Sequence, residues 1–138
     1  MQKTKRSIFM RAGENVEVKR NAELLNKLLG TKHKQWYKSY MHLDENTMIW
    51  MARFDYKIRQ GWRNRLESGK IIEEYLDTTN PPSNILVGAE TKRRIAFIKY
   101  EDHFQFLGVY EYDSANSTPK NALPIHRELV KISDEYMF

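Results

Sequence analysis

The residues best able to do chemistry lie together in FDYKIRQGWRNRL, positions 54 to 66, where Lys57, Arg59, Arg63 and Arg65 surround Tyr56 and Trp62. Cations interleaved with aromatics suit a nucleic acid. Lys and Arg neutralise phosphates, and an exposed Trp or Tyr stacks on an unpaired base. For Trp62 itself a core position after a turn at Gly61 is the favoured reading, because large aromatics are highly buried on average. The four cations are read as a binding face. Lys92, Arg93 and Arg94 form a second cluster that extends that face, although a charged start to a strand explains them equally well. Trp36, Trp50 and Trp62, with the eight tyrosines, can also line a pocket that holds a flipped or modified base. Aromatics at strand spacing more often build a core, and that reading is preferred here.

Other chemistries find less support. The chain has no cysteine, which excludes a disulfide scaffold, a cysteine nucleophile and thiolate metal sites. No serine carries a nucleophile signature, and neither G-x-x-x-x-G-K nor G-x-G-x-x-G occurs among the six glycines. Glu17 and Lys19 spell an E-x-K, a pair that can serve a Mg²⁺-dependent nuclease. The usual upstream acid is missing apart from Glu14, and the first aspartate is Asp44. His33, His42, His103 and His126 show no metal-ligand spacing. No catalytic residue, metal or cofactor is therefore expected.

Charge sharpens the binding argument. Residues 1 to 70 hold 16 Lys and Arg against 7 Asp and Glu, a balance of +9, whereas residues 71 to 138 hold 7 against 11, a balance of −4. A basic half meeting a polyanion gains affinity through counterion release, whatever the base sequence. A solvated surface that keeps a small protein soluble is the plainer explanation.

These residues need elements to position them. In NAELLNKLLG, Asn21 can cap a helix, Leu24, Leu25, Leu28 and Leu29 recur at helical spacing, and Gly30 ends it. Residues 31 to 41 carry mixed signals between helix and loop. TMIWMARF reads as a strand with Met48, Trp50, Ala52 and Phe54 on one face and Ile49, Met51 and Arg53 on the other, covered on both sides. KIIEEYL, from 70 to 76, fits a strand or a helical face. Residues 77 to 92 hold a Pro-rich loop. RRIAFIKY and FQFLGVYEYD then form a hairpin over residues 93 to 113, through the polar tip Glu101, Asp102 and His103. On its second arm Phe104, Phe106, Tyr110 and Tyr112 are placed on one face with Leu107 and Val109 opposite, and Gly108 marks a bulge or a close approach. Residues 114 to 124 read as a loop and IHRELVKIS as a last strand.

The resulting fold class is α+β in a single domain over 1–138: a short N-terminal helix with a curved antiparallel sheet or a small open β-barrel. No apolar run approaches the length of a membrane span, and the apolar stretch Ile8 to Met10 is too short for a signal peptide, so a cytoplasmic location is expected.

FQFLGVYEYD, NSTP and VKISDEYMF, with the earlier IWMARF and GW, resemble parts of small domains associated with bacterial HNH-type endonucleases and restriction or defence proteins. The resemblance spans about residues 30 to 138 and transfers no catalytic residue, since the HNH residues are absent. It implies an accessory, DNA-directed module, of PUA-like fold, with a nuclease or another member of a defence complex as partner. Together these readings predict a non-enzymatic nucleic-acid-binding domain, with DNA favoured. The alternative is a phage-encoded anti-CRISPR or anti-restriction inhibitor acting through protein contacts.

Overall fold

The leucine spacing becomes α1 (Asn21–Leu29) in the computed structural model, which describes residues 7–82, 92–119 and 122–138. Leu24, Leu25 and Leu28 are buried, and the helix stops at Gly30, whose N–H donates to the Asn26 carbonyl at 2.9 Å. Asn21 is not the cap. The Glu23 carboxylate instead accepts the Arg20 N–H at 3.3 Å. Asn21 is buried, donating Nδ2 to the Lys38 carbonyl at 3.1 Å and accepting from Lys99 Nζ at 2.9 Å. Residues 31 to 39 form neither helix nor strand.

Among the described residues ten strands follow one another as β1 (Phe9–Arg11), β2 (Asn15–Val16), β3 (Tyr40–His42), β4 (Thr47–Ala52), β5 (Trp62–Glu67), β6 (Lys70–Tyr75), β7 (Arg93–Lys99), β8 (Phe104–Asp113), β9 (Ile125–Ser133) and β10 (Glu135–Met137). The strand reading of KIIEEYL prevails because β6 buries both faces, with Ile71, Glu73 and Tyr75 on one and Ile72 on the other. The hairpin expected over 93 to 113 is β7–β8, and the last strand is β9 followed by β10. Part of the Pro-rich loop, residues 83 to 91, lies outside the described residues.

The main sheet runs β3-β4-β7-β8-β9-β6-β5, with β2 added beside β8, while β1 and β10 form a separate ribbon. Two expectations need correction. The sheet is not wholly antiparallel, because β4 and β7 pair in parallel from Thr47↔Arg93 to Ala52↔Ile98. A parallel pair needs a long crossover, and here the crossover carries the β5–β6 hairpin to the far edge of the sheet. The sheet is open, as the open-barrel reading allows, and no barrel closes. In its coarse form the fold class holds: a mostly β chain with one short helix.

The second correction lies inside β8. Ala96 pairs with Gly108 and Phe97 with Phe106, leaving Leu107 as an extra residue. One inserted residue reverses the alternation beyond it. Phe104 and Phe106 therefore pack on the helix side, together with Val109, while Tyr110, Tyr112 and Leu107 pack on the opposite side. Gly108 is required there: its φ is 128°, and a Cβ would sit 2.6 Å from the Ser133 carbonyl oxygen.

The sheet thus separates two apolar layers. α1 and the β1–β10 ribbon cover Ile49, Met51, Ile95, Phe97, Phe104 and Phe106 on one face. The other face gathers Met48, Trp50 and Ala96 with Ile71 and Leu129. Three strands separate β4 from β6 in the sheet order, so their shared cluster requires the sheet to curl over this face. Among the described residues no helix is long and apolar enough to cross a membrane.

Candidate nucleic-acid interface

Curling leaves a cavity of about 710 Å³ on the concave face, walled by Trp50 and Ala52 from β4, Trp62 and Asn64 from β5, and Glu73, Arg94 and Arg127 from β6, β7 and β9. The loop between β4 and β5 forms its mouth. Asp55 organises that loop: its carboxylate accepts from the Arg59 guanidinium and from the Lys57 N–H, and the Arg59 bond holds its carboxyl below the usual range. Arg59 and Trp62 exchange backbone hydrogen bonds of 2.8 and 2.9 Å, which closes the turn. Tyr56 and Gln60 occupy the left-handed region with φ of 62° and 53°. Gly61, with φ of 88°, approaches so closely that a Cβ would run into the Tyr75 ring. The result is a tight loop that leaves Tyr56 64% exposed and Ile58, at the cavity mouth, 59% exposed.

The floor is ionic and buried. Glu73 accepts from Arg94 Nη1 and Nη2 at 3.0 and 2.9 Å, and from Arg127 Nη1 at 2.9 Å. Burial alone would raise the Glu73 carboxyl, but the two guanidinium groups outweigh it and hold the group below its ordinary value. Each arginine also faces an indole: Arg94 lies 4.6 Å from the Trp50 ring centre and Arg127 5.5 Å from that of Trp62. Trp62 packs in turn on Tyr75 at 5.1 Å. Two buried polar atoms of cavity-lining side chains, Asn64 Oδ1 and Arg94 Nε, have no hydrogen-bond partner among the described residues.

The predicted residues divide according to strand alternation. Lys57, Arg59, Trp62 and Arg94 line the cavity, with Lys57 and Arg59 exposed. Arg94 is 1% exposed, which makes it part of the floor and not a surface cation. Trp62 is half-buried, between the core position favoured from sequence and a free stacking surface. Trp50 is buried within the cavity wall, whereas Trp36 packs on the helix side and donates Nε1 to the Tyr40 carbonyl at 3.1 Å. Arg63 and Arg65 alternate with the cavity-lining Trp62 and Asn64, and neither lines the cavity. They bind the Glu74 carboxylate, Arg63 at 3.1 Å. Lys92 and Arg93 are exposed at the start of β7 and do not line this cavity.

Glu74 also meets His126 Nδ1 at 3.3 Å, and His126 Nε2 lies 3.0 Å from Glu128, which pairs with Lys70 at 3.1 Å. The Glu128 contact, opposed by burial and aided by Glu74, raises the His126 pKa above its ordinary value. Sequence reading missed Glu73, Arg127 and Asn64. A usable signal existed, because Glu73 alternates with Ile71 and Tyr75 and so sits on a strand face that is otherwise apolar or aromatic. Glu17 and Lys19 are exposed beyond β2, and no group of metal-ligating side chains occurs among the described residues.

Comparison with known proteins agrees with this architecture. The solved structure of the 5-hydroxymethylcytosine-specific restriction enzyme AbaSI superposes with a TM-score of 0.67 at 16% identity, covering 93% of this chain and 42% of that one. This chain therefore spans less than half of that enzyme, and the likeness is one of fold. No curated protein sequence matches. Neither finding shows a link to HNH-type enzymes. At the level of family, the description "SET and RING associated domain" matches residues 3–137. A curled open sheet around a polar cavity, and a family match over nearly the whole length, identify the chain as a member of the SET and RING associated (SRA) domain family of DNA-binding, PUA-like domains.

Proposed function

We propose that this chain is a non-catalytic DNA reader that binds duplex phosphates with its basic rim and receives one extrahelical base, a modified cytosine, in the concave cavity. The cavity supports this reading best. Its volume, about 710 Å³, lies in the range of small-ligand sites, and its walls carry the indoles of Trp50 and Trp62 over a polar floor. A flipped base is held by stacking and by hydrogen bonds to its edge. Glu73 accepts three hydrogen bonds from arginines, and a carboxylate offers about four acceptor positions, so one remains for an exocyclic amino group. Asn64 Oδ1 adds an unused acceptor and Arg94 Nε an unused donor. Tyr56 and Ile58, on the rim beside Lys57, offer apolar surface to the gap that a departing base leaves in the stack. Preference for a modified cytosine is supported by the structural neighbour, an enzyme specific for 5-hydroxymethylcytosine. That neighbour is a restriction enzyme, which favours work on cytoplasmic DNA beside a nuclease partner; no finding supports the inhibitor alternative.

Anisotropy titration of duplexes carrying one 5-hydroxymethylcytosine, one cytosine or one abasic site tests the proposal. The modified duplex is expected to bind most tightly. Trp62→Ala is expected to cost about 1 to 3 kcal/mol on it, as lost stacking does, with much less effect on the abasic duplex. Absence of any DNA binding at about 50 mM salt, where phosphate contacts are strongest, would overturn the reading.

A further inference from the structure

Beside the main cavity lies a second, of about 440 Å³, bounded by Phe54, Tyr56, Leu66, Ile98 and Tyr100. The residues that line both cavities are Arg53, Lys57, Arg59 and Lys99, and all four are cations. The partition between the two spaces is therefore made of cations, one of which, Arg59, is paired with Asp55 of the second cavity. Its members are not equivalent. Arg59 is neutralised by Asp55, and Lys57 rides on the exposed loop. Arg53 and Lys99 instead stand at the end of the parallel β4–β7 ladder. Ala52↔Ile98 is the last pair of the parallel ladder, and Arg53, just past β4, and Lys99, the last residue of β7, follow it. Lys99 Nζ is further held by Asn21 Oδ1 at 2.9 Å and lies 5.9 Å from the centre of the Phe104 ring.

Neither cation has a carboxylate partner among the described residues. Glu101 lines the second cavity but forms no ion pair there. Burial, and after it the charge of Arg53, hold the Lys99 ammonium below its ordinary pKa. Two half-buried like charges at one edge disfavour the folded state unless an anion relieves them.

We propose that Arg53 and Lys99 form an anion subsite that grips the DNA phosphodiester next to the nucleotide taken into the main cavity. The assignment rests on the DNA-reading proposal above and adds to it a fixed phosphate contact. It differs from the loop cations in rigidity, because strand ends and the Asn21 contact place the charges before DNA arrives. Preorganised contacts lose less side-chain freedom on binding than flexible surface lysines do. A phosphate held here would also register the strand, so that the adjoining base meets the cavity and not the rim.

The test is a salt titration of the full chain against the modified and abasic duplexes, between 50 and 200 mM salt. One phosphate contact contributes about 0.9 to the slope of log affinity against log salt. Arg53→Gln combined with Lys99→Gln is expected to lower the slope by about that amount on both duplexes, so that its affinity loss shrinks about 3.5-fold across the range. The charge-conserving pair Arg53→Lys and Lys99→Arg is expected to retain the slope. A control pair with the same change in net charge, Arg11→Gln with Lys27→Gln, touches neither cavity and is expected to alter the slope less. Circular dichroism and Tm verify folding. Should the double variant unfold, the two single variants are read separately, each showing part of the loss. An unchanged slope in folded variants, or an equal loss in the control pair, overturns the subsite while leaving the base cavity in place. The converse result, a loss with the Gln pair but none with Trp62→Ala, removes the base cavity and keeps the subsite. A wild type that binds neither duplex removes both.

Discussion

Glu73 illustrates what a single buried charge requires. Taking a carboxylate out of water costs several kcal/mol, and here the cost is offset by two guanidinium groups, each covered by an indole. Removing one partner leaves the others uncompensated. Glu73→Ala is therefore expected to destabilise the fold by about 3 to 5 kcal/mol, measured by urea or thermal unfolding. Replacing the whole set, with Glu73→Leu, Arg94→Met and Arg127→Leu, is expected to recover most of that stability, because apolar groups of similar size pack without desolvation cost. The triple variant is nevertheless expected to lose preference for the modified duplex. Recovery of stability with preference intact would show the ionic floor to be structural only. The same residues explain why the basic cluster read from sequence divides. Arg94 serves the floor, Arg63 and Arg65 serve Glu74, and Lys57 and Arg59 remain at the rim.

At the scale of elements, the β4–β5 loop forms the mouth of the cavity, and Gly61 sets its exit into β5. Its φ of 88° and the adjacent Tyr75 ring leave no room for a side chain. Gly61→Ala is expected to cost about 1 to 3 kcal/mol, combining backbone strain and overpacking. It should also displace Trp62 from Tyr75. Loss of DNA affinity beyond the loss of stability, compared at a temperature where the variant is fully folded, would place the loop at the interface. The β8 bulge acts on a larger set of side chains. By adding Leu107 to one strand it turns Tyr110 toward the concave face, where the ring packs with Met48 and Trp50. Regular alternation would have turned Tyr110 and Tyr112 to the helix side.

Across the whole molecule, the two faces of the β5–β6–β9 edge divide the work, with the cavity on one and an ion network on the other. The network gives stability a pH dependence of known sign. His126 is raised above its ordinary 6.5, so its contribution is complete below that pH and fades as pH rises through the raised value. Glu74 and Glu128 are lowered from 4.5, so their contribution is complete above that pH and fades as pH falls through the lowered values. His126→Gln is therefore expected to reduce stability at pH 5.5, by about 1 kcal/mol or less for a partly exposed pair, with little effect at pH 9. Thermal melts at both values check it, and an equal loss at both would refute the assignment.

Local pattern was enough for the elements whose cause is local. The leucines of α1, the bulky alternation of β4 and the 93–113 hairpin were legible because side-chain periodicity records which faces are buried. The basic character of the β4–β5 segment was legible too, since charge is carried by residue type alone. The partners were not. A parallel β4–β7 pair, an extra residue in β8 and a curl that brings Glu73 between Arg94 and Arg127 all join positions distant in the chain. Alternation along one strand says that two residues share a face. Only the packed sheet decides which face encloses a cavity, and hence which of the many cations stand beside it.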